Sequence, residues 1–135
     1  MKIKEWITRE IVTIRPEASV KEAFALLKSL GIRHLPVVKD GALKGIVTDR
    51  DLRRPKLSDV FKSWHELYRI DDEIQVEDIM ASPVLTVSED ATIQEAAQQM
   101  AQNRIGALPV LDKNGKLAGI ISESDILRAF AAGKK

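Results

Sequence analysis

Two short stretches of the chain place a hydroxyl three residues before a carboxylate. Thr48 precedes Asp51, and Ser122 precedes Asp125, with Ser124 between them. An ionised carboxylate is an acceptor with two oxygens, so each Asp could hold both hydroxyls of a ribose. At the start of a helix the hydroxyls would lie where backbone N–H groups and the helix dipole favour an anion. The same spacing also forms an N-terminal capping box, so the residues alone leave a ligand contact and a structural cap equally open.

These stretches end two copies of one sequence unit. A shift of 73 residues places residues 11–24 on 84–97. After one inserted residue near Asn114, a shift of 74 places residues 41–52 on 115–126. Self-similarity at this scale indicates an internally repeated fold, whose two copies position the two hydroxyl–carboxylate pairs equivalently.

Each copy predicts the element order β-α-β-β-α. Thr13–Ile14 and Thr86–Val87 form the first short strands. Ser19 and Thr92 follow as helix N-caps, and in each copy a Glu three residues later would complete a capping box. Apolar residues then recur at helical spacing, which predicts a helix that buries one face.

The second half of each copy predicts a β-hairpin that leads into the last helix. The strands LPVV and LPVL are followed by the turn dipeptides Asp40-Gly41 and Asn114-Gly115. The returning strands carry Gly45 and Gly119, which lack Cβ and would let the strand pass close to a ligand or to the other repeat. The hydroxyl–carboxylate pairs therefore fall where a strand meets a helix.

We predict two domains, residues 1–56 and 76–135, joined by a helical linker at 57–75. Within the linker, apolar residues at roughly helical intervals predict an amphipathic helix that covers part of the module, and a partner-binding helix is the alternative. These residues are Leu57, Val60, Phe61, Trp64 and Tyr68.

Composition restricts the class of protein. The chain has 135 residues, of which 44% are hydrophobic and 4% aromatic, so it can build an aliphatic core. The formal net charge of +1 provides no global field for a polyanion, and the absence of Cys excludes disulfides and thiolate sites. No apolar run is long enough to cross a bilayer, and we expect a cytoplasmic protein without a membrane partner.

Enzymatic and nucleic-acid functions have little support. The two histidines, His34 and His65, lie in different settings, and no hydrolase, zinc or Walker motif is present, so we assign no catalytic residue and no metal site. A short basic cluster contains Arg50, Arg53, Arg54 and Lys56. A solvated helix end beside a proline explains this cluster better than nucleic-acid binding does.

The ordered recurrence of the first-strand Thr, the capped helix, x-L-P-V and Gly-h-h-Thr/Ser-x-x-Asp resembles a tandem pair of CBS domains, called a Bateman module. The resemblance implies an α/β (α+β) fold in which two pseudo-twofold related β-α-β-β-α repeats pack through their sheets into one compact module. It also implies homodimers and bound adenosine derivatives: AMP, ADP, ATP or S-adenosylmethionine, with NADH as a further candidate. The arrangement is also similar to the N-terminal part of acetoin-utilisation regulators.

Given this resemblance, we interpret the repeated turns as ligand contacts that are also caps. It implies that Arg33 and His34, just before the L-P-V strand, reach phosphate. The alternatives are an edge-strand His34 that forms a hydrogen bond with the backbone, the commoner role of a lone histidine, and a solvated Arg50 at the helix start. The second copy has Gly106 and Ala107 there, so we expect unequal sites, one of which binds charged adenine nucleotides better. The predicted ligand-binding residues are Thr13, Ile14, Arg33, His34, Leu35, Pro36, Thr48, Arg50, Asp51, Thr86, Val87, Gly106, Ala107, Leu108, Pro109, Ser122, Ser124 and Asp125, and Val37 and Val110 join the base contacts.

The resulting hypothesis is a regulatory module that senses adenylate or another metabolite and acts on an effector protein in trans. The competing hypothesis is a dimeric interaction scaffold without a functional ligand site. It is favoured by the apolar run ILRAFAA at 126–132, which is richer than one helix face requires.

Overall fold

The structure, a computed structural model, describes residues 2–49 and 74–133. These residues contain three α-helices, five β-strands in two small sheets and two 3₁₀ helices. The predicted mixed α/β class is confirmed, although the last helix of the first repeat lies outside the described ranges. The first strands were predicted at Thr13–Ile14 and Thr86–Val87; the structure has a single bridge at Ile14 in the first repeat and a strand at Val87–Ser88 in the second. Nearly all of the predicted linker helix (57–75), together with the predictions for His65 and for the basic cluster of residues 50–56, also falls outside them.

The chain divides into two compact units, and the first unit is residues 12–84. Helix α1 (Val20–Leu30) precedes strands β1 (His34–Lys39) and β2 (Ala42–Thr48), which pair antiparallel. On the far side of β1, Ile14 pairs in parallel with Val37, and on the far side of β2, Ala81 pairs antiparallel with Ile46. A 3₁₀ helix, Val76–Asp78, leads into Ala81.

The second unit combines residues 1–11 with 85–135. Its elements are a 3₁₀ helix (Ile3–Glu5), β3 (Val87–Ser88), α2 (Ile93–Asn103), β4 (Ala107–Leu111), β5 (Leu117–Ser122) and α3 (Glu123–Gly133). Strand β3 runs parallel to β4, and β5 runs antiparallel to it. Thr8 pairs with Ile120 at the free edge of β5, as Ala81 pairs with Ile46 in the first unit.

The leading segment of each repeat completes the sheet of the other repeat. Thr8 belongs to the first repeat by sequence, yet it exchanges two backbone hydrogen bonds of 3.0 Å with Ile120 in the second. Ala81 and Ile46 exchange bonds of 2.9 and 3.2 Å in the same way. The sequence repeat and the packing unit are therefore different divisions of the chain.

Each unit has its own aliphatic core. Leu35, Val37 and Val47 are fully buried in the first unit, and Leu108, Val110 and Ile121 are the corresponding residues of the second. Helix α1 buries its stripe on the first cluster, and α2 and α3 contribute Met100 and Ala129 to the second. The predicted aliphatic core is confirmed. It holds rigid the strands at whose ends the candidate residues lie.

The predicted N-caps are confirmed, but the two capping boxes differ. Thr92 Oγ1 accepts the Glu95 N–H at 3.0 Å, and Glu95 Oε1 accepts the Thr92 N–H at 3.0 Å, which completes the box. In α1 the structure records only the bond from the Glu22 N–H to Ser19 Oγ, at 3.0 Å. The prediction of a full box was wrong there. Both caps lie in equivalent bridges to a leading segment, Ser19 to Gln75 and Thr92 to Lys2, so this contact does not account for the difference.

The turns follow the predicted chemistry. Asp40 and Gly41 have φ values of 52° and 81°, as a two-residue type I′ hairpin turn requires. In the second hairpin Gly115 has φ 79°, and Asp112 Oδ1 accepts the N–H groups of Asn114 and Lys116 at 2.8 and 3.0 Å. Both turns hold the hairpins in register, so the opposite hairpin ends, which carry the candidate residues, are aligned.

Candidate functional site at the strand–helix turns

The turn from β5 to α3 is closed by a reciprocal cap. Asp125 Oδ2 accepts the Ser122 N–H at 2.9 Å and the Ser122 hydroxyl at 3.1 Å. Ser122 Oγ in turn lies 3.4 Å from the Asp125 N–H. The capping interpretation of the Ser-x-x-Asp spacing is thus realised in the second repeat. Any ligand contact there must coexist with the cap.

The carboxylate of Asp125 is buried and ion-paired. Its side chain is 3% exposed, and its Oδ1 contacts the guanidinium of Arg128, one helical turn further along α3. A buried charge is stable only when it is paired or hydrogen-bonded, and Arg128 and Ser122 meet this requirement within the protein. Arg128 was missed from the sequence. Its signal was the equivalent Arg54, since an Arg follows each turn Asp by three residues.

In both repeats, the first backbone N–H after the returning strand of the hairpin already donates to a carbonyl of the protein. The Gly106 carbonyl accepts the Glu123 N–H at 3.0 Å, and the Arg33 carbonyl accepts the Asp49 N–H at 3.1 Å. The Asp125 N–H points to Ser122 Oγ. In the first turn of α3 this leaves the N–H of exposed Ser124 as the donor for an anion. The helix start therefore offers an anion fewer backbone donors than the sequence suggested.

In the first repeat the hairpin brings two predicted site residues side by side. His34 opens β1, Thr48 ends β2, and they are direct cross-strand partners. Directly opposed residues hold their Cβ atoms about 5 Å apart, so imidazole and hydroxyl share one end of the sheet. Both are half-buried, and the preceding Arg33 is exposed. Arg50 and Asp51, which would complete this group, lie outside the described residues.

The second repeat pairs different side chains at the equivalent place. Ala107 opposes Ser122 at the ends of β4 and β5, and half-buried Gly106 precedes it. Exposed Arg104 lies two residues earlier, at φ 54°. The chemical difference between the two hairpin ends is therefore a histidine and an arginine in the first against an alanine and a glycine in the second.

The predicted base contacts are mostly core residues. Leu35, Leu108, Val37 and Val110 are fully buried, Pro36 and Pro109 are buried, and Ile14 and Val87 are 5% exposed. Thr13 is exposed and Thr86 is half-buried. Sequence reasoning missed the residues just before these threonines, Val12 and Leu85, which are 39% and 45% exposed. They are equivalent in the repeat alignment, which was the available signal, and they place apolar surface beside each Thr.

The two strand glycines serve close backbone approach. A Cβ on Gly119 would lie 2.5 Å from the Thr8 carbonyl oxygen, and one on Gly45 would lie 2.5 Å from Met80 Sδ and 2.9 Å from the Ala81 oxygen. Of the two roles considered for these glycines, approach to the other repeat is confirmed at both positions. Each Gly makes room for the other repeat's leading segment.

Across residues 2–49 and 74–133, no group of three or more His, Cys, Asp or Glu side chains is arranged to hold a metal ion. Within the same ranges, no helix is long and apolar enough to cross a membrane.

Comparison with known families gives a direct match. The model of the CBS domain matches this chain twice, at residues 3–57 and 76–132. The chain belongs to the CBS domain family. The two sequence repeats are its two CBS repeats, and the expectation of a tandem pair is confirmed.

Two curated relatives illustrate the range of lengths. The chain is 36% identical to a CBS domain-containing protein of Dictyostelium discoideum, DDB_G0289609, over 93% of this chain and 88% of the relative. It is 34% identical to the uncharacterized protein MJ1225 of Methanocaldococcus jannaschii, over 96% of this chain but only 47% of the relative. The chain thus spans about half the length of MJ1225 and most of the length of the Dictyostelium protein.

Two solved CBS-pair structures, both with bound adenosine compounds, match the fold over nearly the whole chain. CBSX2, a protein of Arabidopsis thaliana, was solved in complex with AMP; it matches with a TM-score of 0.81 and 28% identity over 99% of this chain and 98% of that one. The CBS domain pair of MJ0100 was solved with 5′-methylthioadenosine and S-adenosyl-L-methionine; it matches with a TM-score of 0.80, 28% identity and the same coverage. The CBS-pair fold is confirmed.

Proposed function

We propose that the chain is a regulatory CBS pair that binds an adenosine compound of the AMP, ADP or ATP type and acts on an effector protein in trans. The support from relatives is that CBSX2 and MJ0100, which match over 99% of this chain, carry AMP and S-adenosyl-L-methionine respectively. The support from this chain is the group of hydroxyl, carboxylate and basic residues at the strand–helix turns. S-adenosylmethionine and NADH are the alternative ligands, and the proposal includes a cytoplasmic homodimer without catalytic activity.

The observation that carries the proposal is the pairing of His34 with Thr48 at the end of the first hairpin. A hydroxyl can donate to a phosphate oxygen, and a neighbouring imidazole N–H adds a second donor. Exposed Arg33 adds a permanent positive charge. The first repeat therefore holds the phosphate-binding side chains, with Arg50 and Asp51 proposed to complete its site.

The second repeat offers a less charged site. Ser122, Ser124 and Asp125 supply hydroxyls and an acceptor, while Gly106 and Ala107 replace the basic pair. We therefore propose unequal sites, in which the first prefers phosphorylated adenosine and the second accepts adenosine derivatives of lower charge. Exposed Thr13 and half-buried Thr86 are the proposed base contacts in the two repeats, beside the apolar surfaces of Val12 and Leu85.

Signalling then follows from linkage. A ligand that binds two conformations of the protein unequally shifts their populations, by at most its difference in binding free energy between them. An effector that recognises one of the conformations reads this shift.

The test is ligand-dependent stability combined with one matched variant. At about 100 times Kd, a ligand raises the free energy of unfolding by roughly 2.7 kcal/mol. We expect AMP to raise the melting temperature of the wild type, and His34→Ala to weaken AMP binding about five- to tenfold while leaving adenosine binding unchanged. If AMP, ATP, S-adenosylmethionine and NADH at millimolar concentration all leave the melting temperature unchanged, the ligand-binding function is wrong.

The second candidate function is a dimeric interaction scaffold. Helix α3 exposes Leu127 by 67% and Phe130 by 64%, and large apolar side chains this exposed often mark a protein contact. Under this alternative, Leu127→Glu reduces the mass measured by sedimentation to that of a monomer, and AMP has no effect on the melting temperature. A ligand response that persists in Leu127→Glu favours the sensor over the scaffold.

A further inference from the structure

The two oxygens of the Asp125 carboxylate have different partners. Oδ2 holds both the backbone N–H and the hydroxyl of Ser122 and thereby caps α3. Oδ1 contacts the guanidinium of Arg128, its one hydrogen-bond partner among residues 2–49 and 74–133. The Arg128 side chain is 62% exposed, whereas that of Asp125 is 3% exposed. An exposed arginine therefore covers the carboxylate oxygen that the cap does not use.

We propose that Arg128 is a gate on the ribose position of the second repeat. This inference rests on the proposed function, since it assigns a regulation to that same site. In the free protein the guanidinium occupies Oδ1, and a nucleoside reaches the carboxylate only when Arg128 moves away. Displacing the exposed arginine leaves the cap intact, because Ser122 remains bound to Oδ2.

The gate makes the site selective for charge. When an uncharged nucleoside displaces Arg128, the protein loses one charge-assisted contact, and the nucleoside gives the guanidinium no new partner. A phosphorylated ligand brings oxygens that pair well with a guanidinium, so the displaced Arg128 regains an anion. The ion pair therefore discriminates against adenosine more than against AMP, so it partly offsets the preference for ligands of lower charge that follows from the loss of the basic pair in this repeat.

The test uses the full chain and the variant Arg128→Met, which keeps the aliphatic stem and removes every donor. The control is Lys113→Met, which removes the same charge from the turn at the opposite end of the β4–β5 hairpin, about five strand residues or roughly 16 Å away. Titrations with adenosine and with AMP are followed by two-dimensional NMR at the amides of Ser122 and Ser124, which report the second repeat specifically.

We expect Arg128→Met to tighten adenosine binding about three- to tenfold, which corresponds to the loss of one partly exposed charged contact. AMP binding should tighten less or weaken, so the ratio of AMP affinity to adenosine affinity falls. Lys113→Met should change neither. Equal adenosine affinity in the wild type and Arg128→Met, with AMP bound by both, would overturn the gate and leave the function standing. Weaker adenosine binding in Arg128→Met would also overturn it, since Arg128 would then orient Asp125 for the ligand.

A ligand-free measurement separates the remaining outcomes. In the unliganded wild type the gate predicts slowed hydrogen exchange of the Arg128 guanidinium protons, because they are held against a buried carboxylate. Freely exchanging guanidinium protons overturn the gate whatever the ligands do. If neither protein binds adenosine or AMP at any amide, the function and the gate both fail.

Discussion

Gly119→Ala tests whether the exchanged leading segment stabilises the second unit. The added Cβ would lie 2.5 Å from the Thr8 carbonyl oxygen and 3.1 Å from Ile7 Cδ1. Close C–H···O contacts in sheets have C···O distances of about 3.3 Å or more, so the Thr8 backbone must move by roughly 0.8 Å. That carbonyl accepts the Ile120 N–H at 3.0 Å, and the reciprocal bond is also 3.0 Å. The substitution therefore breaks or weakens both bonds of the bridge.

The expected destabilisation follows from these contacts. Two backbone hydrogen bonds contribute about 1 kcal/mol each, and forcing an extra carbon into packed backbone costs about 1 to 3 kcal/mol. We expect the free energy of unfolding to fall by about 3 kcal/mol or more, and the melting temperature by about 12 °C for a chain of this size. If the segment detaches entirely, the fully buried Ile3 is exposed as well and the loss is larger.

The assay combines thermal unfolding with amide hydrogen exchange, and Gly115→Ala is the control. Gly115 has φ 79° and open space around its Cβ position. Ala at this position should therefore lower the free energy of unfolding by about 1 kcal/mol, because an L-residue disfavours the left-handed conformation. In Gly119→Ala the amides of Thr8 and Ile120 should lose protection, whereas in Gly115→Ala they should keep it. If both amides stay protected in Gly119→Ala, or its stability equals that of the control, the exchanged segment contributes little to the fold.

Two further predictions concern the helix ends. Arg104 has φ 54° at the C-cap of α2, and α1 has Gly31 with φ 64° at the same place. Because glycine adopts this left-handed conformation without strain, Arg104→Gly should raise the melting temperature by a few degrees. An unchanged or lower melting temperature would contradict this. Hydrogen bonds from the Thr92 backbone N–H, and then from its side chain, lower the pKa of Glu95 below its ordinary value. Because the folded pKa is the lower one, this contribution to stability is present above about pH 4.3 and is lost as pH falls through the folded pKa; NMR titration of the Glu95 carboxyl at its ordinary value would refute it.

The elements of the fold could be predicted because their signals are local. The caps Ser19 and Thr92, the turn glycines and the short apolar L-P-V runs each act within a few residues. The exchange of leading segments could not be predicted, because its backbone bonds join Ile46 to Ala81, 35 positions apart, and Thr8 to Ile120, 112 positions apart. The sequence indicated it only through Gly45 and Gly119, because a missing Cβ is consistent with close approach either of the other repeat or of a ligand.

The candidate site was predictable in its residue types and less so in their partners. Asp125 has a spacing that suits both a cap and a ribose, and spacing carries no information on which carboxylate oxygen remains available. The contact with Arg128 depends on side-chain conformation along α3, so it emerged only with coordinates. Conversely, Leu35 and Leu108 were predicted as base contacts, but their full burial in the separate cores gives them a packing role.

The position of the crossings links the site to the rest of the chain. The chain passes from one unit to the other after Ile11 and again after Val84, directly before exposed Val12 and Leu85 and their neighbours Thr13 and Thr86. A ligand that contacts these threonines would therefore hold the chain at the two points where the leading segments join the repeats. Each leading segment forms the edge of the other repeat's sheet, so each crossing joins two backbone segments that are held by hydrogen bonds in their own units. Linkage from the proposed adenosine contacts predicts that a bound ligand changes hydrogen exchange at Thr8 and Ala81, and unchanged exchange at both amides would contradict it.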